Sequence, residues 1–231
     1  MSRPHTRACL KQLALVVDLG GSTTKASTCE YNARGDIEEF HRITKWPGRT
    51  EDISYAPTIV AQSSKAYSGE MRRAWGWEAF NDLSDHGSEF TKRDQLKFHM
   101  MEPNKTPEKD EMDSICLFYV RSLLDHLIAG RRSESLLILV GVPMLVEMKF
   151  LVRQRMGNSY KEIFRLASPN PNTLIRIVDE STLGRIGAKE LVAMILAEAG
   201  ESLDEYSIFT SVDSGSTTTV SNSLDAHIIK Q

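Results

Sequence analysis

The sequence predicts an α/β fold built on a mixed β-sheet with an inserted subdomain, and three observations carry that prediction. Short apolar runs at Leu13 to Val17, Leu136 to Val140, Leu174 to Val178 and Ser207 to Val212 are bounded by Gly, Asp or Asn, the pattern of buried strands. Helical stretches alternate with the later runs, as crossover connections in an α/β sheet require. Between Trp46 and about Pro107 this regularity weakens, which marks the inserted part.

The elements follow in order. Leu13 to Val17 runs into Asp18-Leu19-Gly20-Gly21, a buried strand ending in a tight turn. Thr24 to Tyr31 and Glu38 to Ile43 continue as strands, so the domain opens with an antiparallel meander. Tyr55 to Ala61 reads as a strand entered through Pro57, and Ala74 to Phe80 as the start of a helix. Asn81 to Ser88 and Met101 to Lys109 carry loop residues. Asp113 to Ala129 is the clearest helix, with Ile115, Phe118, Tyr119, Leu123 and Leu127 near one face, Asp113 or Ser114 as cap and Gly130 after its end. Leu145 to Met156 reads as a helix stopped by Gly157, and Thr182 to Ala199 as a second long helix closed by Gly200. Trp46, Trp75, Trp77, Met100, Met101, Met144 and Met148 are expected in the core, and Lys92, Arg93, Lys97 and the run Lys105 to Lys109 on the solvated surface.

Composition excludes several classes. The 231 residues are 41% hydrophobic and 26% charged, ordinary globular usage, and the formal net charge of -3 offers no broad basic footprint for nucleic acid. Cys9, Cys29 and Cys116 are odd in number, far apart and at no metal-ligand spacing, which suits a reducing compartment. The apolar run after the basic N-terminal stretch is five residues long, too short for a leader. No stretch approaches the roughly 20 apolar residues of a membrane helix, so a soluble, cytoplasmic protein without a membrane partner is expected.

The informative feature is a near-repeat. Val17-Asp18-Leu19-Gly20-Gly21-Ser22-Thr23-Thr24 returns as Val212-Asp213-Ser214-Gly215-Ser216-Thr217-Thr218-Thr219, each copy following an apolar strand. A turn of Gly and small residues lets backbone N–H groups approach a phosphate, with Ser and Thr hydroxyls adding donors. An Asp at the strand end suits a hydrated Mg²⁺. Two such hairpins facing each other would grip a polyphosphate; neither the P-loop nor the dinucleotide fingerprint is present.

In its ordered series of segments the chain resembles the nucleotide-binding domain of the heat-shock-protein-70 family, within the actin and hexokinase superfamily. Val16 to Thr23 resembles the first phosphate motif, Ala56 to Ala61 the T-P-S-x-V-A segment, and Trp75 to Ala79 the V-G-x-x-A segment. Leu139 to Pro143 resembles the T-V-P strand end, Ile177 to Thr182 the connecting motif, and Val212 to Gly215 the second phosphate motif. The resemblance is to divergent, fungal-type members. It implies an actin-like ATPase (ribonuclease H-like) fold that binds ATP and Mg²⁺ and has client or co-chaperone partners. It implies that Asp18 and Asp213 organise Mg²⁺ through water and that Glu180 positions the attacking water, these three forming the catalytic set. Nucleotide contacts would come from Gly20, Gly21, Ser22, Thr23, Gly215, Ser216, Thr217 and Thr218.

The chain also departs from that pattern. Ser216 and Thr217 stand where the family has glycines, Val220 replaces the second Asp, and Ser181 replaces the proline after the connecting Glu. No counterpart of the catalytic lysine is found between Ser68 and Phe80, where Arg72 and Arg73 are offset. The expected organisation is a first-lobe core at 1–45 and 110–206, an inserted subdomain at 46–109, and the start of a truncated second lobe at 207–231. Half a cleft leaves adenosine in water, so ATP binding is expected to be weak or lost, and the exposed lobe face to favour self-association. A non-catalytic interaction module and an actin-fold small-molecule kinase are the competing readings.

Overall fold

An apolar run in which consecutive residues are all buried needs cover on both faces of its strand. The computed structural model, which describes residues 12–67, 70–101, 107–131, 135–142 and 150–199, supplies that cover. Its elements begin with β1 (Gln12–Leu19), β2 (Thr23–Tyr31), β3 (Ile37–Arg42), β4 (Ala56–Pro57), β5 (Val60–Tyr67), β6 (Glu70–Trp75), α1 (Gly76–Asp85) and β7 (Phe90–Arg93). They continue with α2 (Leu96–Met101), α3 (Pro107–Ile128), β8 (Leu136–Val142), α4 (Phe150–Ala167), β9 (Thr173–Asp179), α5 (Glu180–Ile186) and α6 (Ala188–Ala199).

The main sheet has the order β3-β2-β1-β8-β9, with β4 added against the start of β2. Strands β1, β2 and β3 form the expected antiparallel meander, whereas β1, β8 and β9 run parallel. The result is a mixed sheet with helices on both faces. Alternation along β1 divides its side chains between two cores. Leu13, Leu15 and Val17 face a large cluster with Tyr119, Leu123, Tyr160 and Phe164 of α3 and α4. Ala14 and Val16 face a second cluster with Leu183 of α5 and Leu191, Val192 and Ile195 of α6.

Residues 60–93 form a separate three-stranded sheet, β6-β5-β7, with α1 packed beside it. Its link to the main core is aromatic. Trp75 meets Trp46 and Tyr119 edge-on at 6.4 and 5.7 Å between ring centres, and Trp46 stacks on His126. Trp46 and Trp77 each donate their indole N–H to a backbone carbonyl, Ile53 and Tyr55, so neither buried ring leaves a polar atom stranded. All three tryptophans, with Met100 and Met101, lie in the core as expected; Met144 and Met148 lie outside the described residues.

Several boundaries differ from the sequence expectation. Ala74 and Trp75 belong to β6, and helix α1 runs on through Asn81 to Asp85, where a loop was expected. Helix α3 starts at Pro107, ahead of the expected cap at Asp113, because proline suits a first helical turn with its missing N–H. Helix α4 is not stopped by Gly157 but passes through it to Ala167. A helical Gly costs about 1 kcal/mol relative to Ala, and burial of Tyr160, Ile163, Phe164 and Ala167 outweighs that. The expected helix from Thr182 to Ala199 is two helices, parted at Gly187, whose φ of 87° few other residues adopt. The expected strand at Ser207 to Val212 lies outside the described residues.

Ile138 is fully buried at the centre of β8 between both neighbours. Ile138→Ala is expected to lower unfolding free energy by about 3 kcal/mol in urea titration, with an unchanged denaturant slope.

Candidate functional site

Three parallel strands deliver their carboxyl ends to one place. Register pairs Val17 with Val140 and Val142 with Asp179. Asp18, Gly141 and the sequence Asp179-Glu180 therefore gather at the same end of the sheet. In α/β sheets this is where ligands collect, because connections diverge there and leave a crevice.

The turn between β1 and β2 forms one wall. Gly20 donates its N–H to the Thr23 carbonyl at 2.8 Å, closing a tight turn. A Cβ at Gly20 would stand 2.6 Å from that carbonyl oxygen, so the turn admits only glycine there. Among the described residues the N–H groups of Gly21 and Ser22 make no hydrogen bond. Ser22 is exposed and Thr23 half-buried. The turn is braced from behind: the Ser22 carbonyl accepts from Thr58 N–H at 2.9 Å. The Thr24 hydroxyl bonds those of Thr58 and Tyr119 at 2.9 and 2.8 Å, and Tyr119 reaches the Pro57 carbonyl. Complete burial pushes the Tyr119 phenol well above its ordinary value, so it stays a neutral donor.

The opposite wall is an ion pair. Glu180, the first residue of α5, pairs with the ammonium of Lys97 on α2. The Lys97 side chain is 6% exposed and that of Glu180 27%, so the cation is the more deeply enclosed partner. Burial is the largest cause pushing the Glu180 carboxyl above its ordinary value of 4.5; Lys97 opposes it, while Asp18 and Asp179 add to it. Glu180 thus shares one electrostatic environment with Asp18. Close packing puts it there: a Cβ at Gly141 would meet Leu183 Cδ1 at 2.5 Å and Glu180 Cγ at 3.1 Å. A side chain at the end of β8 would have to push Leu183 aside and crowd Glu180 at the start of α5.

Lys97 was expected on the solvated surface, and the structure corrects this. Lys92 and Arg93 do lie in outward-facing pairs with Asp94 and Glu111. Lys97, however, stands three and four residues before Met100 and Met101 on the buried side of α2. That spacing was the available signal. Arg72 and Arg73 lie away from the site, bonded to Asp82 and to Gln62 and Ser114. Gly141 had no sequence signal beyond ending an apolar run.

Of the sequence-predicted residues, the fold brings Asp18, Gly20, Gly21, Ser22, Thr23 and Glu180 to this end of the sheet. Asp213, Gly215, Ser216, Thr217 and Thr218 lie outside the described residues. Among the described residues no three His, Cys, Asp or Glu side chains cluster in a metal-binding group, and none of the helices is long and apolar enough to cross a membrane.

No family model matches the chain, and no curated protein does. Among solved structures it is similar to a non-polymerising mutant of MamK bound to AMPPNP, at 16% identity and a TM-score of 0.46. The match covers 79% of this chain and 45% of that one, so the chain corresponds to less than half of that protein's length.

Two outcomes test this geometry. Gly141→Ala is expected to cost about 1–3 kcal/mol of stability through overpacking and to displace Glu180, readable as a loss of thermal midpoint. A carboxyl raised in the folded state binds more protons there than in the unfolded chain. Glu180 therefore contributes stability that is complete below 4.5 and is lost as pH rises through its folded value. In Glu180→Gln, urea unfolding across that window is expected to lose this decline.

Proposed function

We propose that the chain binds ATP with Mg²⁺, its phosphates seated on the β1–β2 turn. One observation carries this: the unbonded N–H groups of Gly21 and Ser22, an enclosed ammonium at Lys97 and the carboxylates of Asp18 and Glu180 share one end of the parallel strands. Anion donors and a cation beside carboxylates fit a metal-bound polyphosphate, whereas carboxylates alone would repel it. Asp18 is proposed to hold Mg²⁺ through its waters, which the affinity of a hard divalent cation for an oxygen donor supports. Mg²⁺ would neutralise phosphate charge; the chain's own part is to seat the phosphates on the turn and supply Lys97 as a counter-charge. Asp213 and the turn at Gly215 to Thr218 are proposed to complete the site from the second copy of the motif.

The finer reading, a chaperone-type ATPase with client or co-chaperone partners, is supported by the order of its motifs along the sequence. A second reading, a non-catalytic module, is favoured by one feature. Glu180, the residue proposed to orient the attacking water, is engaged by Lys97, so hydrolysis requires that pair to part.

Calorimetric titration with ATP and Mg²⁺ separates the two. Weak but measurable binding is expected, weakened further, about tenfold or more, by Asp18→Ala and by Lys97→Met. A folded chain giving neither heat nor thermal stabilisation with ATP would sink the nucleotide reading and leave the non-catalytic module.

A further inference from the structure

Tyr160 is fully buried on α4, and among the described residues its hydroxyl has no hydrogen-bond partner. An enclosed phenol without a partner carries the full cost of its lost water, and such groups in native folds call for a reason. Its place supplies one. Helix α4 lies against α2, α3 and β9, the elements that carry Lys97, Tyr119 and the approach to Glu180. Gly157, one turn before Tyr160, sits against Ile177 of β9, 4.0 Å from where its Cβ would be. Because α4 connects two parallel strands it runs against their direction, and side chains tilt toward a helix's N-terminus. That tilt carries the Tyr160 side chain toward the carboxyl ends of the strands, and its ring packs on Phe164 at 5.6 Å. Burial is the largest cause that keeps this phenol protonated, and the negative charge of Glu180 comes next.

The geometry points to Tyr160 as a positioning residue for Glu180, its hydroxyl becoming the donor to that carboxylate when Lys97 turns to a bound phosphate. This rests on the proposed nucleotide site and adds a donor exchange to it. In the structure described here the ammonium of Lys97 holds the carboxylate. An anionic phosphate on the adjacent turn competes for that ammonium, and the half-enclosed carboxylate then needs another donor. Tyr160 is a neutral O–H with its proton uncommitted, held back by burial from ionising. A hydrogen bond from it to the carboxylate is charge-assisted, and so stronger than an ordinary one. The exchange moves no covalent bond and no proton.

The test is a double-mutant cycle on the full 231-residue chain, read by urea unfolding in mildly alkaline buffer, with a nucleotide arm. Tyr160→Phe keeps the ring and removes only the unpartnered oxygen. In the parent chain it is expected to change the unfolding constant less than about threefold, or to stabilise. In Lys97→Met, where Glu180 has lost its cation, Tyr160→Phe is expected to raise the unfolding constant about tenfold. A merely structural tyrosine would give the same change in both backgrounds, and that result overturns the proposal. If Lys97→Met does not fold, the nucleotide arm decides. Affinity for ATP·Mg²⁺ is expected to fall about tenfold in Tyr160→Phe, and unchanged affinity overturns the exchange. Should the parent chain bind no ATP while the cycle still depends on background, the nucleotide reading and the phosphate-driven exchange fall, and Tyr160 as the alternative donor to Glu180 stands.

Discussion

The burial of β1 on both faces is the constraint from which the rest follows. Leu13, Leu15 and Val17 on one side and Ala14 and Val16 on the other are all removed from water. At about 25 cal/mol per Å² of apolar surface, leaving either face uncovered would cost several kcal/mol, a large share of a domain's stability. Cover on both faces requires helices on both, so β8 and β9 join in parallel through α4 while α5 and α6 close the far side. Parallel strands share a direction, so their polar ends coincide. Asp18 meets Gly141 and Glu180 because the core demanded that topology, before any ligand is considered.

At that end of the sheet the molecule holds charge under unfavourable conditions. An ammonium as enclosed as Lys97 is tolerated only with a counter-ion, and Glu180 is the counter-ion within reach. The carboxylate suffers as well, since burial and the nearby acids both resist its ionisation. Such a pair is weak evidence for stability, because a well-packed apolar pair often serves a core as well. Its location beside a turn with unbonded N–H groups is what favours a role in binding. The turn itself is held rigidly by the Thr24, Thr58 and Tyr119 hydroxyls, whose bonds are buried and mutually satisfied. A donor array braced in this way loses little entropy when an anion arrives.

The second sheet is joined to the site by contacts. Tyr119 belongs to both the hydroxyl network behind the turn and the aromatic cluster with Trp75. Thr58 lies between β4, which pairs with β2, and β5, the central strand of the small sheet. Movement of the small sheet would therefore be felt at the β1–β2 turn through two short paths of packed groups. Phe98, exposed beside Gly21, marks where α2 borders that turn.

The sequence by itself determined strands β1, β2, β3, β8 and β9, the meander, the alternation of the later elements and the Gly20-Gly21-Ser22 turn. These depend on local chemistry: apolar runs, β-branched residues and a glycine where a Cβ would strike the chain two or three residues on. It also marked Asp18 by the apolar strand it follows, and Glu180 through the resemblance of Ile177 to Thr182 to a connecting motif. Tertiary structure decided the rest. Lys97 is enclosed because α2 packs on α3 and α4, and its helical spacing to Met100 and Met101 is too short a pattern to decide that without those helices. Helix α4 passes Gly157 because packing outweighs a weak local preference. Gly141 matters only through α5 and Glu180, about forty positions away along the chain. Local patterns settle which elements form, whereas a buried charge or an unpartnered hydroxyl acquires meaning only when distant elements close around it.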